Sequence, residues 1–349
     1  FADYGIIFSV KWQDNSMTKI KVLDCTLRDG GYINQWNFGE ENIQKIIRNL
    51  ENAHVDYIEC GFLKQKIYNA NESLFQSINQ LEKFLDNKTS ETKYSLMINY
   101  GEYPIEKLPG CKNNKILLRV AFHKQALQEA VIYCRQLIEK GYGVFLNPKQ
   151  TNSYSLQEIL ELINRANELK PKALTIVDTN GAMKEDEVFK LFQLVDENLD
   201  KNIALCFHSH NNLQLSFANA KCLMEICTPR ELIIDSSVLG MGRGAGNLCS
   251  ELLIEYLNDI YGANYELSPV LKIIDEQINP IFATTPWGYS VQYFLSAANN
   301  CHPNYAKYFV ENRIASAEFI NNILQAIPED KKNVYDYELI KHLSNLGKV

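Results

Sequence analysis

Short apolar runs and longer amphipathic stretches alternate along the first 265 or so residues. Apolar runs at 21–27, 57–62, 94–99, 116–122, 143–147, 173–178, 203–208 and 232–238 predict eight strands. Between them, 40–53, 127–140, 155–169 and 184–195 carry helical spacing; Ile43, Ile46, Ile47 and Leu50 fall on one face. The strands read as almost continuous apolar runs, the pattern of a parallel sheet covered on both sides. Eight strand–helix units predict an α/β fold, a (β/α)8 TIM barrel, with chemistry at the strand C-terminal ends. A doubly wound sheet is the alternative, but it would not set polar residues at the end of almost every strand. After about residue 266 the alternation stops. Helical patterns at 271–282, 291–298 and 315–326, punctuated by Pro280, Pro286, Pro303 and Pro328, predict a C-terminal helical appendage. The expected division is an extension at 1–16 (Met17 is a candidate natural start), a catalytic barrel at 17–265 and a helical domain at 266–349.

Composition narrows the class. The chain has 349 residues, 46% hydrophobic and 22% charged, an ordinary globular balance with length enough for a large core. A net charge of −7 argues against nucleic acid or an anionic membrane as the main partner. No run of eighteen apolar residues predicts a membrane span, and the first residues lack the pattern of a secretory signal. Nine cysteines without CxxC spacing read as reduced thiols, which points to the cytoplasm.

The chemistry gathers at two strand ends. One carries Arg28, Asp29, Gly30 and Gly31; the other carries His208-Ser209-His210-Asn211. One carboxylate and two neutral imidazoles make an open divalent-metal site with room for substrate and water. An arginine beside it can hold a carboxylate or a developing enolate oxygen, which points to carbon–carbon bond chemistry on a 2-oxo acid. Each part alone has a plainer reading: an Arg–Asp ion pair, or a structural histidine pair. Their joint occurrence favours the metal site. Other strand ends carry Glu59, Asn99, His123, Lys149, Asp178 and Thr179. Glu59, Asp178 and Thr179 are candidate substrate contacts, although Asp178 and Thr179 also suit capping and turn chemistry. After the eighth strand, Gly240, Gly242, Gly244 and Gly246 alternate before a helix at about 248–261. Such a loop can bind an anion or fold over a substrate, which makes Gly242 and Gly244 candidate contacts. Asn247 either donates an amide oxygen to a metal or caps that helix.

These segments resemble a family of metal-dependent barrel lyases and synthases: 4-hydroxy-2-oxovalerate aldolase, hydroxymethylglutaryl-CoA lyase and isopropylmalate synthase. Thr26-Leu27-Arg28-Asp29-Gly30 is similar to its strand-one signature and His208-Ser209-His210-Asn211-Asn212 to its metal motif. The loop from Gly240 to Asn247 resembles the form found in the oxovalerate aldolases, as do segments at 119–123, 178–183 and 288–293. The resemblance spans roughly 21–326. It implies a divalent ion, Mn²⁺ or Mg²⁺, on Asp29, His208, His210 and Asn247, with Arg28 stabilising a pyruvate-type enolate. The ligands alone leave Zn²⁺ and Co²⁺ open. It further implies cleavage or formation of a bond between that enolate and an aldehyde, as in a class II aldolase. The alternatives are a synthase that condenses an acyl-CoA or sugar-like aldehyde with a 2-oxo acid, and a barrel kept as a non-catalytic scaffold. The aldolases carry a basic histidine where this chain has Tyr32, a poor base at its ordinary pKa of about 10. His123 and Tyr289 are the other candidates for proton transfer. In the aldolases the helical tail docks a partner dehydrogenase; here it is expected to do the same or to form a homodimer.

Overall fold

A computed structural model describes residues 19–85, 91–111, 115–226 and 228–346; the expected extension at 1–16 and Met17 lie outside them. Eight strands form the barrel: β1 (Lys19–Asp24), β2 (Tyr57–Leu63), β3 (Lys93–Asn99), β4 (Ile116–Phe122), β5 (Gly143–Pro148), β6 (Ala173–Asp178), β7 (Ala204–Ser209) and β8 (Glu231–Ser236). Each pairs in parallel with its neighbours, and β1 pairs with both β2 and β8, which closes the sheet. The predicted (β/α)8 barrel is what forms. Two local differences have clear causes. The predicted strand 21–27 stops at Asp24, whose carboxylate accepts from the Thr26 amide at 2.9 Å and the Ser250 hydroxyl at 2.7 Å. That bend starts a helical turn, Thr26–Asp29, so Arg28 and Asp29 sit on a helical turn just past the strand. A two-residue strand, Leu74–Phe75, also pairs beside the end of β2; it is too short to show a period in sequence.

The strands are buried on both faces. Outward residues such as Val22, Ile58, Leu96 and Leu118 pack with Ile43, Ile46, Ile47 and Leu50 of the helix Glu40–Asn52. Each such side chain contributes roughly 1.5–3 kcal/mol when fully buried. Inside the barrel, Leu23, Tyr57, Leu117, Phe145, Ala173, Ala204 and Ile233 form an apolar plug. Two residues further along three of these strands, the same inward face carries Glu59, Arg119 and Asp235. The interior therefore changes from an apolar floor to a charged layer just beneath the strand C-terminal ends.

The C-terminal segment is helical as expected, with helices including Leu267–Ile273, Val291–Ala298, Pro303–Glu311, Ala317–Gln325 and Tyr337–Leu346. Its later helices share an apolar core of Cys301, Tyr305, Phe309, Ile320, Leu324 and Ile340, while Val270 and Ile273 of Leu267–Ile273 pack in the barrel's core. The helix Pro303–Glu311 was not predicted, because Pro303 read as a break. Proline suits the first helical position, where its missing N–H costs no bond. Every described cysteine is free. No described helix is long and apolar enough to cross a membrane.

Candidate metal centre and active-site cavity

A cavity of about 700 Å³, counted to its open mouth, lies at the strand C-terminal ends. Arg28, Asp29, His208 and His210 line it, with Tyr32, His123, Lys149, Thr179 and Arg243. One ligand atom each from Asp29, His208 and His210 lie within 4.8 Å of one another, and all three residues are buried. The imidazoles stand edge to face with centroids 5.2 Å apart.

The surroundings of this triad suit a cation. His208 Nδ1 lies 2.9 Å from Asp235 Oδ2 on β8, so the proton sits on Nδ1 and Nε2 is left as a lone-pair donor. Burial, helped by the charge of Arg243, lowers the His210 pKa to about 3, despite the opposing pull of Asp29; its ring is neutral at pH 7. His210 Nδ1 is buried without a hydrogen-bond partner, and so is Asn247 Oδ1. Burial opposes ionisation of Asp29, but the Arg28 guanidinium outweighs it and holds the carboxyl well below its usual range. Buried acceptors without partners are costly unless something fills the gap, and a divalent ion on these donors would do so. Asn247 Nδ2 donates to Asp29 Oδ2 at 2.9 Å and to the Met241 carbonyl at 3.2 Å. Its Oδ1 is therefore the atom open to a cation. Gly242 permits this approach: a Cβ there would meet Asn247 Nδ2 at 2.3 Å and Asp29 Oδ2 at 2.7 Å.

Beneath the triad runs a chain of buried charges. Arg28 Nη1 pairs with Asp29, and Arg28 Nε donates to Glu59 at 2.7 Å. Glu59 also accepts from Arg119 at 3.1 Å, and Arg119 reaches Asp235 at 2.6 Å. Asp235 then holds His208. Arg119 and Glu59 are 0% exposed, so the pairing must be nearly complete to offset desolvation.

The expected site residues divide by depth. Arg28, Asp29, Tyr32, His123, Thr179, His208 and His210 all face the cavity. Asn247 lies beneath it, against Asp29. Glu59 is not a cavity residue; it supports Arg28 from below. Asp178 is also out of the cavity, accepting from the Ala182 and Met183 amides at 3.0 Å each, so it shapes a turn. Gly244 packs against the Asn212 amide, at φ +72°, and is part of the loop's own structure. Tyr289 is 60% exposed and outside the lining. Burial raises the Tyr32 phenol above its ordinary value, against the pull of Arg243, whose guanidinium carbon lies 5.4 Å from the ring centre. The ring is 39% exposed at the mouth, and its inner edge packs on Trp36 and Phe62. Burial lowers the His123 pKa, with Lys149 adding to the effect.

Three residues were missed. Asp235 and Arg119 sit inside apolar strand runs, and nothing in a run shows which residue points inward. His302 comes from the helical tail and lines the cavity. Its Nδ1 accepts from the Asn304 amide at 3.1 Å, so the neutral ring carries its proton on Nε2. Burial lowers its pKa to about 3, with Arg243 and His123 adding to the effect. A compositional signal existed: the chain has only six histidines, and four of them meet in this cavity.

Residues 112–270 match the family described as HMGL-like. A 4-hydroxy-2-oxovalerate aldolase from Bacillus cereus is 26% identical over 272 residues, 76% of this chain and 78% of that protein. An oxaloacetate decarboxylase from Mycobacterium tuberculosis is 21% identical over 244 residues, 68% of this chain and 69% of that one. The N-terminal domain of a Bacteroides vulgatus protein assigned as an aldolase superposes with a TM-score of 0.72 at 25% identity, covering 88% of this chain and all of that domain. Part of the chain thus matches the HMGL-like family, and the chain is similar to proteins named 4-hydroxy-2-oxovalerate aldolase.

Proposed function

We propose that the chain is a carbon–carbon lyase of the aldolase type, acting on a 4-hydroxy-2-oxo acid to release an aldehyde and pyruvate. The observation that carries this reading is the triad of Asp29, His208 and His210 opening, beside Arg28, into one cavity. Mn²⁺ or Mg²⁺ held by those three side chains and Asn247 Oδ1 would act as a Lewis acid toward the 2-oxo group. Arg28 Nη2 makes no hydrogen bond to the described protein, while Nε and Nη1 are fixed by Glu59 and Asp29. That free edge is aimed by its partners and can meet charge gathering on the enolate oxygen.

Cleavage breaks the C3–C4 bond. The bond's electron pair becomes the enolate, and the proton of the C4 hydroxyl must leave. His123 is neutral at pH 7 and borders the cavity, which suits it to take that proton directly or through a water. Tyr32, with its raised pKa, serves as a wall and a hydrogen-bond donor rather than as the base. The enolate is then protonated on C3. The same groups serve the reverse condensation.

Two measurements test the reading. Metal analysis should find close to one divalent ion per chain in wild type and little in His208→Ala. Proton NMR in deuterium oxide should show metal-dependent exchange of the pyruvate methyl protons. Equal metal in both proteins, or no exchange by the loaded wild type, would overturn it.

A further inference from the structure

Two cations in the cavity have no acidic partner. Lys149 lies just past β5 and Arg243 in the glycine loop, and both line the cavity. Neither forms an ion pair or a side-chain hydrogen bond among the described residues, and Arg243 Nε is buried without an acceptor. The guanidinium rests over the Tyr32 ring instead. Two acids whose charge reaches these cations are already committed. Asp29 pairs with Arg28, and Glu102 pairs with Lys64 at 3.2 Å. Both side chains line the same cavity, and after burial the charge of Arg243 is the next cause lowering the Lys149 pKa, so each cation lies within the other's field.

The buried network below does not need them. It holds three carboxylates (Asp29, Glu59, Asp235) against two guanidiniums, Arg28 and Arg119. That single excess negative charge, with the 2-oxo carboxylate of a substrate, balances one divalent cation. Lys149 and Arg243 remain as two uncompensated charges at the mouth. His123 and His302, both neutral at pH 7, add donors without adding charge. Two cations held together in a partly dry cavity repel each other, a cost that an anion between them removes.

Building on the aldolase reading, we propose that the substrate carries a second anionic group on its aldehyde half, a carboxylate or a phosphate, held between Lys149 and Arg243. The enzyme would then cleave a doubly charged hydroxy-oxo acid rather than one with a neutral alkyl tail.

The test uses three 2-oxo acids that differ in the tail: 2-oxovalerate, 2-oxoglutarate and 2-oxo-4-phosphonobutyrate. Calorimetric titration into the Mn²⁺-loaded protein should show one of the charged acids binding at least tenfold tighter than 2-oxovalerate. The tighter of the two identifies carboxylate or phosphate as the group. The preference should shrink with added salt and fall below twofold in Lys149→Met/Arg243→Met, with Lys149→Gln/Arg243→Gln as the second pair if the first unfolds. Equal affinities in wild type, or a preference that survives in the double variant, would overturn the proposal. Pyruvate methyl exchange separates the two ideas. Exchange without a charged-tail preference leaves the aldolase reading standing and this one refuted; a preference without exchange keeps the anion subsite of Lys149 and Arg243 and refutes the aldolase reading.

Discussion

Replacing Asp235 by asparagine tests whether the charged layer beneath the cavity sets the strength of the candidate metal site. Both strong partners of this carboxylate use one oxygen: Arg119 Nη2 at 2.6 Å and His208 Nδ1 at 2.9 Å reach Oδ2, while the Cys206 thiol reaches Oδ1 at 3.1 Å. Arginine can only donate, so the new amide must place its oxygen at the Oδ2 position and its nitrogen toward Cys206. Geometry and the His208 tautomer are then kept, and the change is the loss of one charge. Two estimates of the cost to the fold agree. Burial opposes ionisation of Asp235, but Arg119 and His208 outweigh it and bring its pKa from 3.8 down to about 2. A shift of that size corresponds to about 2–3 kcal/mol of stability, present above the unfolded pKa and lost as pH falls through the folded one. Removing one partner of a buried ion pair costs about 3–5 kcal/mol, and Glu59 stays to compensate Arg119 in part. We expect the metal-free variant to lose about 2–3 kcal/mol in urea unfolding at pH 7. His208 also becomes a weaker donor, and loss of such a supporting carboxylate typically lowers metal affinity about 10–100-fold. Calorimetry with Mn²⁺ on the folded variant measures this separately. An affinity within twofold of wild type would refute the view that Asp235 tunes the site through His208.

Arg28→Lys keeps a charge but cannot hold Glu59 and Asp29 while offering a third edge; turnover should drop about 100-fold or more, and a near-normal rate would remove Arg28 from the transition state. Tyr32→Phe should slow aldol cleavage and pyruvate exchange by similar small factors; a large loss confined to cleavage would return the proton-transfer role to the phenol. Asp24 provides a pH test: burial raises its pKa from 3.8 to about 6 despite the hydrogen bond from Ser250. In its raised state it favours the fold below about pH 4, and that contribution is lost as pH rises through about 6. Asp24→Asn should therefore gain stability relative to wild type between pH 4.5 and 7, by about 2–3 kcal/mol at most; an unchanged difference in urea unfolding at the two pH values would contradict this.

The sequence carried the barrel well because each strand is apolar on both faces, and its inner and outer residues send the same signal. That uniformity also hid the charged layer. Asp235 follows Leu232, Ile233 and Ile234, and Arg119 follows Ile116, Leu117 and Leu118; neither disturbs its run enough to mark a function. Depth was the other unreadable quantity. Glu59 and Arg28 both belong to strand-end regions, yet one lies under the cavity and the other faces it. The triad was legible because its residue types have few shared uses at that spacing, whereas the polarity of Asp178 serves a turn as readily as a substrate. His302 could not be placed because it reaches the barrel from a segment whose helices have their own core, and no periodicity reports where such a unit docks.

That docking has a consequence for how this protein can change. Polar ties between tail and barrel include Gln150 Nε2 to the Asn333 carbonyl at 2.8 Å, Asn180 Nδ2 to Asn333 Oδ1 at 3.0 Å and Trp287 Nε1 to the Leu239 carbonyl at 2.9 Å, while His302 lines the cavity. None of them involves Asp29, His208, Asp235 or the arginines that link them. The candidate metal triad and the roof thus come from separate stretches of chain. Drift in the segment around 300–335 can redraw the far end of the cavity while the end with the candidate metal triad stays as it is. Under the proposed function, a lineage of such proteins would diversify its diet from the roof downward, and chimeras would be joined beyond Ile278, because Val270, Ile273 and Ile278 pack in the barrel's own core.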